Sequence, residues 1–197
     1  MDETLKDNLA AEAAGEARPG ERTGACGEQD VLACLSAMVE DISSTLDVQA
    51  LMRQVGERVR EFIHYDTFAI HLLDPLGQEL RIAFGIGYSE QVIQHWRLGL
   101  GQGLAGTAAQ TGKPVRVGDV TRDPRYVNAF EEIASEMCIP LIVKGRTIGV
   151  LDVGSRQRDA FSEDHERMLT FLAGHLANAI ENARLYENLR AQTHTLS

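Results

Sequence analysis

A chain of 197 residues, 44 % hydrophobic and with a formal charge of −10, can bury one good core but hardly two. Its 29 acids against 19 bases form no basic stripe, which argues against nucleic-acid binding, since a phosphate backbone would be repelled. No apolar run approaches the roughly 20 residues of a membrane span, and three cysteines without a C-x-x-C pair (Cys26, Cys34, Cys138) argue against a disulfide framework.

Residues 1–29 are rich in Ala, Glu and Gly and show no apolar period, so they read as a disordered leader with seven acids and three bases. The start Met1-Asp2-Glu3-Thr4-Leu5-Lys6 lacks the blocks of a secretory signal, and a cytoplasmic location without a membrane partner is expected. Val31, Leu32, Leu35, Met38, Val39, Ile42 and Leu46 recur at helical steps and predict a bundle helix over 30–46. Asp47 caps the next helix, whose stripe is Leu51, Met52, Val55, Val59, Phe62 and Ile63. Two strands follow, 66–73 and 79–84, joined by the Asp74-Pro75-Leu76-Gly77 turn. Residues 91–98 read as an irregular strand, 103–110 as a short helix ended by Gly112 and Pro114, 115–117 as a strand, and 119–132 as a polar loop with a helical turn near Phe130.

A hairpin of two apolar, β-branched strands comes next, 135–143 and 146–153, joined by Lys144-Gly145, with Gly placed to take the positive φ of a primed turn. Ser162 then caps a helix whose first turn is acidic, and which runs from Glu163 to about Arg190. Leu169, Leu172, Leu176, Ala179, Ala183 and Tyr186 step alternately by three and four along it. That spacing predicts a coiled-coil seam, with Leu172, Leu176, Ala179, Ala183 and Tyr186 facing a second copy in a parallel homodimer. Residues 188–197 read as the start of a linker to a C-terminal output module that this chain lacks. The order of elements is α+β with an antiparallel sheet.

Few residues suggest chemistry. Gly101-Gln102-Gly103-Leu104-Ala105-Gly106 spells G-x-G-x-x-G, but the polar segment before it and the short helix after it do not fit a dinucleotide fold. The glycines read first as a loop passing close to the sheet, and only second as amides for an anionic group. The six histidines show no metal spacing, His71 and His175 read as core or rim, and no metal site is predicted. Asp152 in an apolar strand needs a partner, a loop amide or an Arg, with a pocket role second. Cys138, between Met137 and Ile139, reads as a buried small hydrophobe rather than a reactive thiolate. No nucleophile elbow, paired carboxylates or P-loop is present, so no catalytic residue and no enzymatic activity are expected.

Taken together, a series of short motifs resembles the GAF domain family of small-molecule sensors. They are Leu73-Asp74-Pro75 with Gly77 and Leu80, Gly85-Ile86-Gly87, Gly101 to Gly106, Thr111-Gly112-Lys113-Pro114, and Asp119-Val120-Thr121-Arg122-Asp123-Pro124-Arg125-Tyr126. Ser135-Glu136 with Ile139-Pro140-Leu141, Gly149-Val150-Leu151 and Phe161-Ser162-Glu163-Asp164 complete the series, which covers about residues 47–187 of a domain placed at 30–187. The resemblance implies an antiparallel sheet of about six strands, with the N- and C-terminal helices on one face and a ligand pocket on the other. It also implies a non-enzymatic sensory role in signal transduction, relayed through a dimeric terminal helix bundle to a phosphatase, kinase or cyclase output. The expected pocket residues are Phe84, Leu104, Asp119, Arg122, Tyr126, Phe130 and Met137, and the ligand or cofactor is unknown. Of the cyclic-nucleotide signature at the last helix, only Phe161 and Glu166 match. The Cys-His pair of the bilin-binding members is absent. The sulfoxide reductases of the family use cysteines upstream of Ser-Glu, and none lies between Cys34 and Ser135. Two alternatives stand beside the sensor: a ligand-free dimerisation module, and a redox switch through Cys138.

Overall fold

In a computed structural model, residues 47–128 and 132–195 are described, with side chains as far as Tyr186. The expected leader 1–29, bundle helix 30–46 and Phe130 lie outside the described residues. The first helix, α1 (Val48–Val59), starts as its sequence predicts: the Asp47 carboxylate accepts from the Gln49 and Ala50 amides at 2.9 and 3.1 Å. It buries Leu51, Met52, Val55 and Val59.

Six strands form one antiparallel sheet: β1 (Thr67–Leu73), β2 (Glu79–Ile86), β3 (Arg97–Gly99), β4 (Val115–Val117), β5 (Ser135–Val143) and β6 (Arg146–Ser155), in the order β3-β2-β1-β6-β5-β4. The β5–β6 turn has positive φ at both Lys144 (49°) and Gly145 (77°), the primed geometry that keeps the two strands' twist continuous. Pro140, which donates no amide, is accommodated because β4 pairs with β5 only along Glu136–Cys138, leaving an open edge beyond. Residues 91–98 differ from expectation. A short helix, α2 (Glu90–His95), precedes the three residues of β3, started by the Ser89 hydroxyl accepting from the Val92 amide at 3.3 Å. The helix α3 (Gly103–Thr111) ends at Gly112 in the left-handed conformation, and the polar loop opens with a 3₁₀ turn at Val120–Arg122, while the turn expected near Phe130 lies outside the described residues.

The last helix, α4 (Glu163–Thr195), has 33 residues, about 50 Å at the usual rise. Its N-terminus is fixed reciprocally: the His165 amide donates to Ser162 Oγ, and the Ser162 amide donates to His165 Nδ1 at 3.3 Å. Arg116 of β4 pairs with Glu166 at 2.9 Å and donates to the Phe161 carbonyl, tying the sheet edge to this helix start.

The sheet separates two cores. On one face Phe68, Ile70, Met137, Ile139, Leu141, Leu151 and Val153 are fully buried, and α1 and α4 pack there. Leu169, Leu172, Leu176, Ile180 and Ala183 of α4 are likewise buried within the single chain. This corrects the expected seam: Leu172, Leu176 and Ala183 serve the chain's own core, because α4 lies along β5 for longer than a short strand would allow. Ala179 is half-buried, and Phe171 (48 %), Leu185 (53 %) and Tyr186 (43 %) stay exposed. The other face carries a smaller core in which Leu80, Leu98, Leu104, Ala108, Val120 and Val150 pack around Cys138.

Candidate functional site

Between the second face and the segments that cover it lies a partly enclosed cavity of about 30 Å³. By register, Cys138 sits directly across from Asp152, Asp152 across from Ala69, Glu136 across from Gly154, and Gly154 across from Thr67. Side chains alternate along a strand, so Thr67, His71, Glu136, Cys138 and Asp152 all face the same way. The cover comes from Gly103–Ala105 at the start of α3, Tyr88, Trp96, and Tyr126, Val127 and Ile133 of the loop. The loop glycines let α3 come this close. Gly101 and Gly103 have positive φ, and a Cβ on Gly106 would stand 2.5 Å from the Gly99 carbonyl oxygen. The G-x-G-x-x-G string is therefore a packing device here.

Asp152 finds neither of its expected partners, a loop amide or an arginine. Its Oδ2 lies 3.4 Å from His71 Nε2, and its Oδ1 accepts from the Cys138 thiol at 3.7 Å. Cys138 Sγ also lies 3.2 Å from Glu136 Oε1. Asp152 and His71 are buried, and Nδ1 of His71 has no hydrogen-bond partner. Two acids and a thiol thus crowd together, and no lysine or arginine lines the cavity among the described residues. The electrostatics follow from that crowding. Loss of solvent, then the charge of Asp152, pushes the Glu136 carboxyl well above the usual carboxylate range. The same two causes, with Glu136 added, push the Cys138 thiol well up. Burial first and then nearby acids raise the Tyr126 phenol to about 12, and the Tyr88 phenol is also well raised. The site disfavours negative charge and would welcome a cation.

The expected pocket residues divide. Leu104 and Tyr126 line the cavity. Phe84 and Met137 do not: they point to the helix-covered face. Met137 shares a row with Val153 and Phe68, while the Phe84 ring packs edge-on to Phe68 (6.4 Å between centroids) beneath Arg53 of α1. The reason for Phe84 is a β-bulge. Ile70 pairs with Phe84 but His71 with Ile82, so one extra residue reverses the side-chain alternation of β2. Asp119 caps the 3₁₀ turn through Thr121 and pairs with Arg122 and Arg158, and Arg122 is 84 % exposed as a side chain. Those two close a loop at the surface and do not line the cavity. Sequence reasoning passed over Thr67 and Glu136 as site residues, read His71 as core or rim, and gave Asp152 a pocket role only in second place. The available signal was a single acid inside each of two adjacent apolar strands, Glu136 in β5 and Asp152 in β6.

The family model described as GAF domain matches residues 45–181. Among curated proteins, the Nif-specific regulatory protein of Herbaspirillum seropedicae is 27 % identical over 164 residues, 79 % of this chain and 30 % of its own length. The chain spans about half or less of the length of the curated relatives it matches. Among solved structures, the GAF domain of an Acinetobacter phosphoenolpyruvate-protein phosphotransferase is 25 % identical with a TM-score of 0.71, covering 80 % of this chain and 97 % of that one. A free methionine-R-sulfoxide reductase from Neisseria meningitidis, solved with its substrate, is 26 % identical with a TM-score of 0.72, over 80 % and 92 %. No described helix is long and apolar enough to cross a membrane.

Proposed function

The chain belongs to the GAF domain family, and from that premise we propose that it is a non-enzymatic sensory domain of a larger cytoplasmic signalling protein. Its ligand would sit in the cavity between the sheet and α3, with a cationic or hydrogen-bond-donating end toward Glu136 and Asp152. One observation carries this reading: buried Asp152 and half-buried Glu136 share a cavity that no arginine or lysine lines among the described residues. A group that burial makes costly and that no internal counter-ion offsets is a common mark of a ligand site. The match to only part of a regulator's length supports a separate output module, and its phosphatase, kinase or cyclase type rests on the family resemblance alone.

The relay would run along α4, in a homodimer that uses Phe171, Leu185 and Tyr186 in place of most of the seam expected from spacing alone. Phe171 and Leu185 stand two heptads apart, on one side of the helix. Catalysis like that of the Neisseria reductase is not proposed. The sequence has no cysteine between Cys34 and Ser135, and Cys138 is buried with its thiol held protonated by loss of solvent and by its acidic neighbours. The same facts weigh against a redox switch through Cys138. The small cavity favours one competing reading, a ligand-free dimerisation module. Native mass spectrometry of the purified chain decides between them. A retained small ligand, lost in Asp152→Asn, supports sensing, whereas a bare dimer unchanged by that substitution leaves only the module.

A further inference from the structure

We propose that Glu136, Cys138 and Asp152 bind a divalent d-block cation of the zinc and iron(II) class, with His71 positioning Asp152 from behind. This names the ligand of the cavity described above and rests on the sensory reading of it. Three donor atoms, a thiol sulfur and two carboxylate oxygens, lie within 4.8 Å of one another on two paired strands. The sulfur-to-oxygen distances are 3.2 Å to Glu136 and 3.7 Å to Asp152. An ion at ordinary zinc bond lengths and a tetrahedral angle sets sulfur and oxygen roughly 3.5 Å apart, so the side chains need little movement to hold it.

His71 supplies an independent sign. The residue is 3 % exposed and lines the same cavity, yet Nδ1 has no partner, a state rare for a buried imidazole. Its Nε2 meets the Asp152 oxygen that faces away from Cys138, the arrangement by which an outer histidine fixes a ligating carboxylate. Size and charge agree. About 30 Å³ holds roughly one or two waters, enough for an ion with a bound water but little for a metabolite. The nearby guanidinium of Arg125 is already held at two points by Asp123, at 2.9 and 2.6 Å. A thiol sulfur in the donor set favours a softer ion over magnesium or calcium, which seek all-oxygen shells. On binding, metal–sulfur and metal–oxygen bonds form, the thiol proton and any carboxyl proton leave for solvent, and no electron is transferred.

The test is a titration of the metal-stripped full chain with Co²⁺ under reducing, oxygen-free conditions, followed by absorbance, with Zn²⁺ as competitor. One ion per chain is expected, with a sulfur-to-cobalt charge-transfer band that Zn²⁺ removes. Cys138→Ser should abolish the band, and Glu136→Gln and Asp152→Asn should each weaken binding at least tenfold. His71→Gln should weaken it about tenfold while keeping the band. A variant lacking Cys26 and Cys34 should behave as the parent. Circular dichroism confirms that each variant is folded, and should Cys138→Ser fail to fold, the two carboxylate variants carry the test. A band that survives Cys138→Ser, affinity untouched by both carboxylate variants, or no Co²⁺ and Zn²⁺ binding by the folded parent overturns the proposal. In that last case an organic molecule retained in native mass spectrometry would leave the sensory reading standing without the metal.

Discussion

The two faces of the sheet are built from the same strands yet do opposite work. Toward α1 and α4, the rows through Phe68, Met137, Ile139 and Leu151 are wholly apolar, and burial there stabilises the fold at about 25 cal/mol per Å². Toward α3, the rows between them carry Thr67, His71, Glu136, Cys138 and Asp152, where burial costs free energy unless a partner offsets it. The difference teaches where fold ends and function begins. One face would be kept by any sequence needing a core, while the other holds groups that a stability argument alone would have removed.

Adjacent residues of β5 sample the two faces and give the largest contrast. Met137→Ala removes a fully buried side chain under α4 and should cost about 2–5 kcal/mol. Cys138→Ala, one position along on the opposite face, gives up a small group and a weak thiol donor, for about 1 kcal/mol. Urea unfolding of both checks this. Equal losses would mean that the cavity face is as much structural core as the helix face.

Titration separates the faces by sign. Because burial raises the Glu136 carboxyl in the folded chain, the native state holds a proton that the unfolded state gives up near the ordinary value of 4.5. The resulting penalty is absent below that value, grows as pH rises above it, and stops growing once pH passes the raised folded value. Stability of the metal-free chain should therefore fall with rising pH across that window, with a slope of at most about 1.4 kcal/mol per pH unit per proton. Glu136→Gln should flatten the slope, and an unchanged slope would place the titrating group elsewhere.

How much of this was legible follows from where the information resides. Asp47, Ser162 and Lys144-Gly145 carry their structural instruction within four residues, and each forms the cap or turn expected. Ser89 followed by Glu90 is the same kind of signal for α2, outweighed by a β-like reading of the apolar residues after it. Face assignment is a different matter. Strands β5 and β6 are apolar on both sides, so alternation alone does not tell Glu136 and Cys138 from Met137 and Ile139. The bulge opposite Ile70 and His71 is a tertiary event with no local mark, and it placed Phe84 on the far face from the cavity. The α4 stripe was legible as apolar, but whether a sheet or a second chain covers it depends on the length of β5 beneath it.

The smallest expected effect lies at the start of α4, on the helix-covered side, and runs opposite to that of Glu136. His165 accepts the Ser162 amide through Nδ1. Protonation would replace that lone pair with a donor and set a positive charge beside the positive end of the helix. Burial lowers its pKa from 6.5, with Asp164 opposing weakly. The native state thus binds fewer protons than the unfolded one, and its contribution is complete above 6.5 and lost as pH falls through the lowered folded value. His165→Gln keeps an acceptor at that position without a titrating group. It should leave stability at pH 8 nearly unchanged and remove the acid-side decline that His165 contributes in the parent. Were the decline equally steep in the variant, the Ser162–His165 pair would have no part in it, and the opposition between the two sides would rest on Glu136 alone.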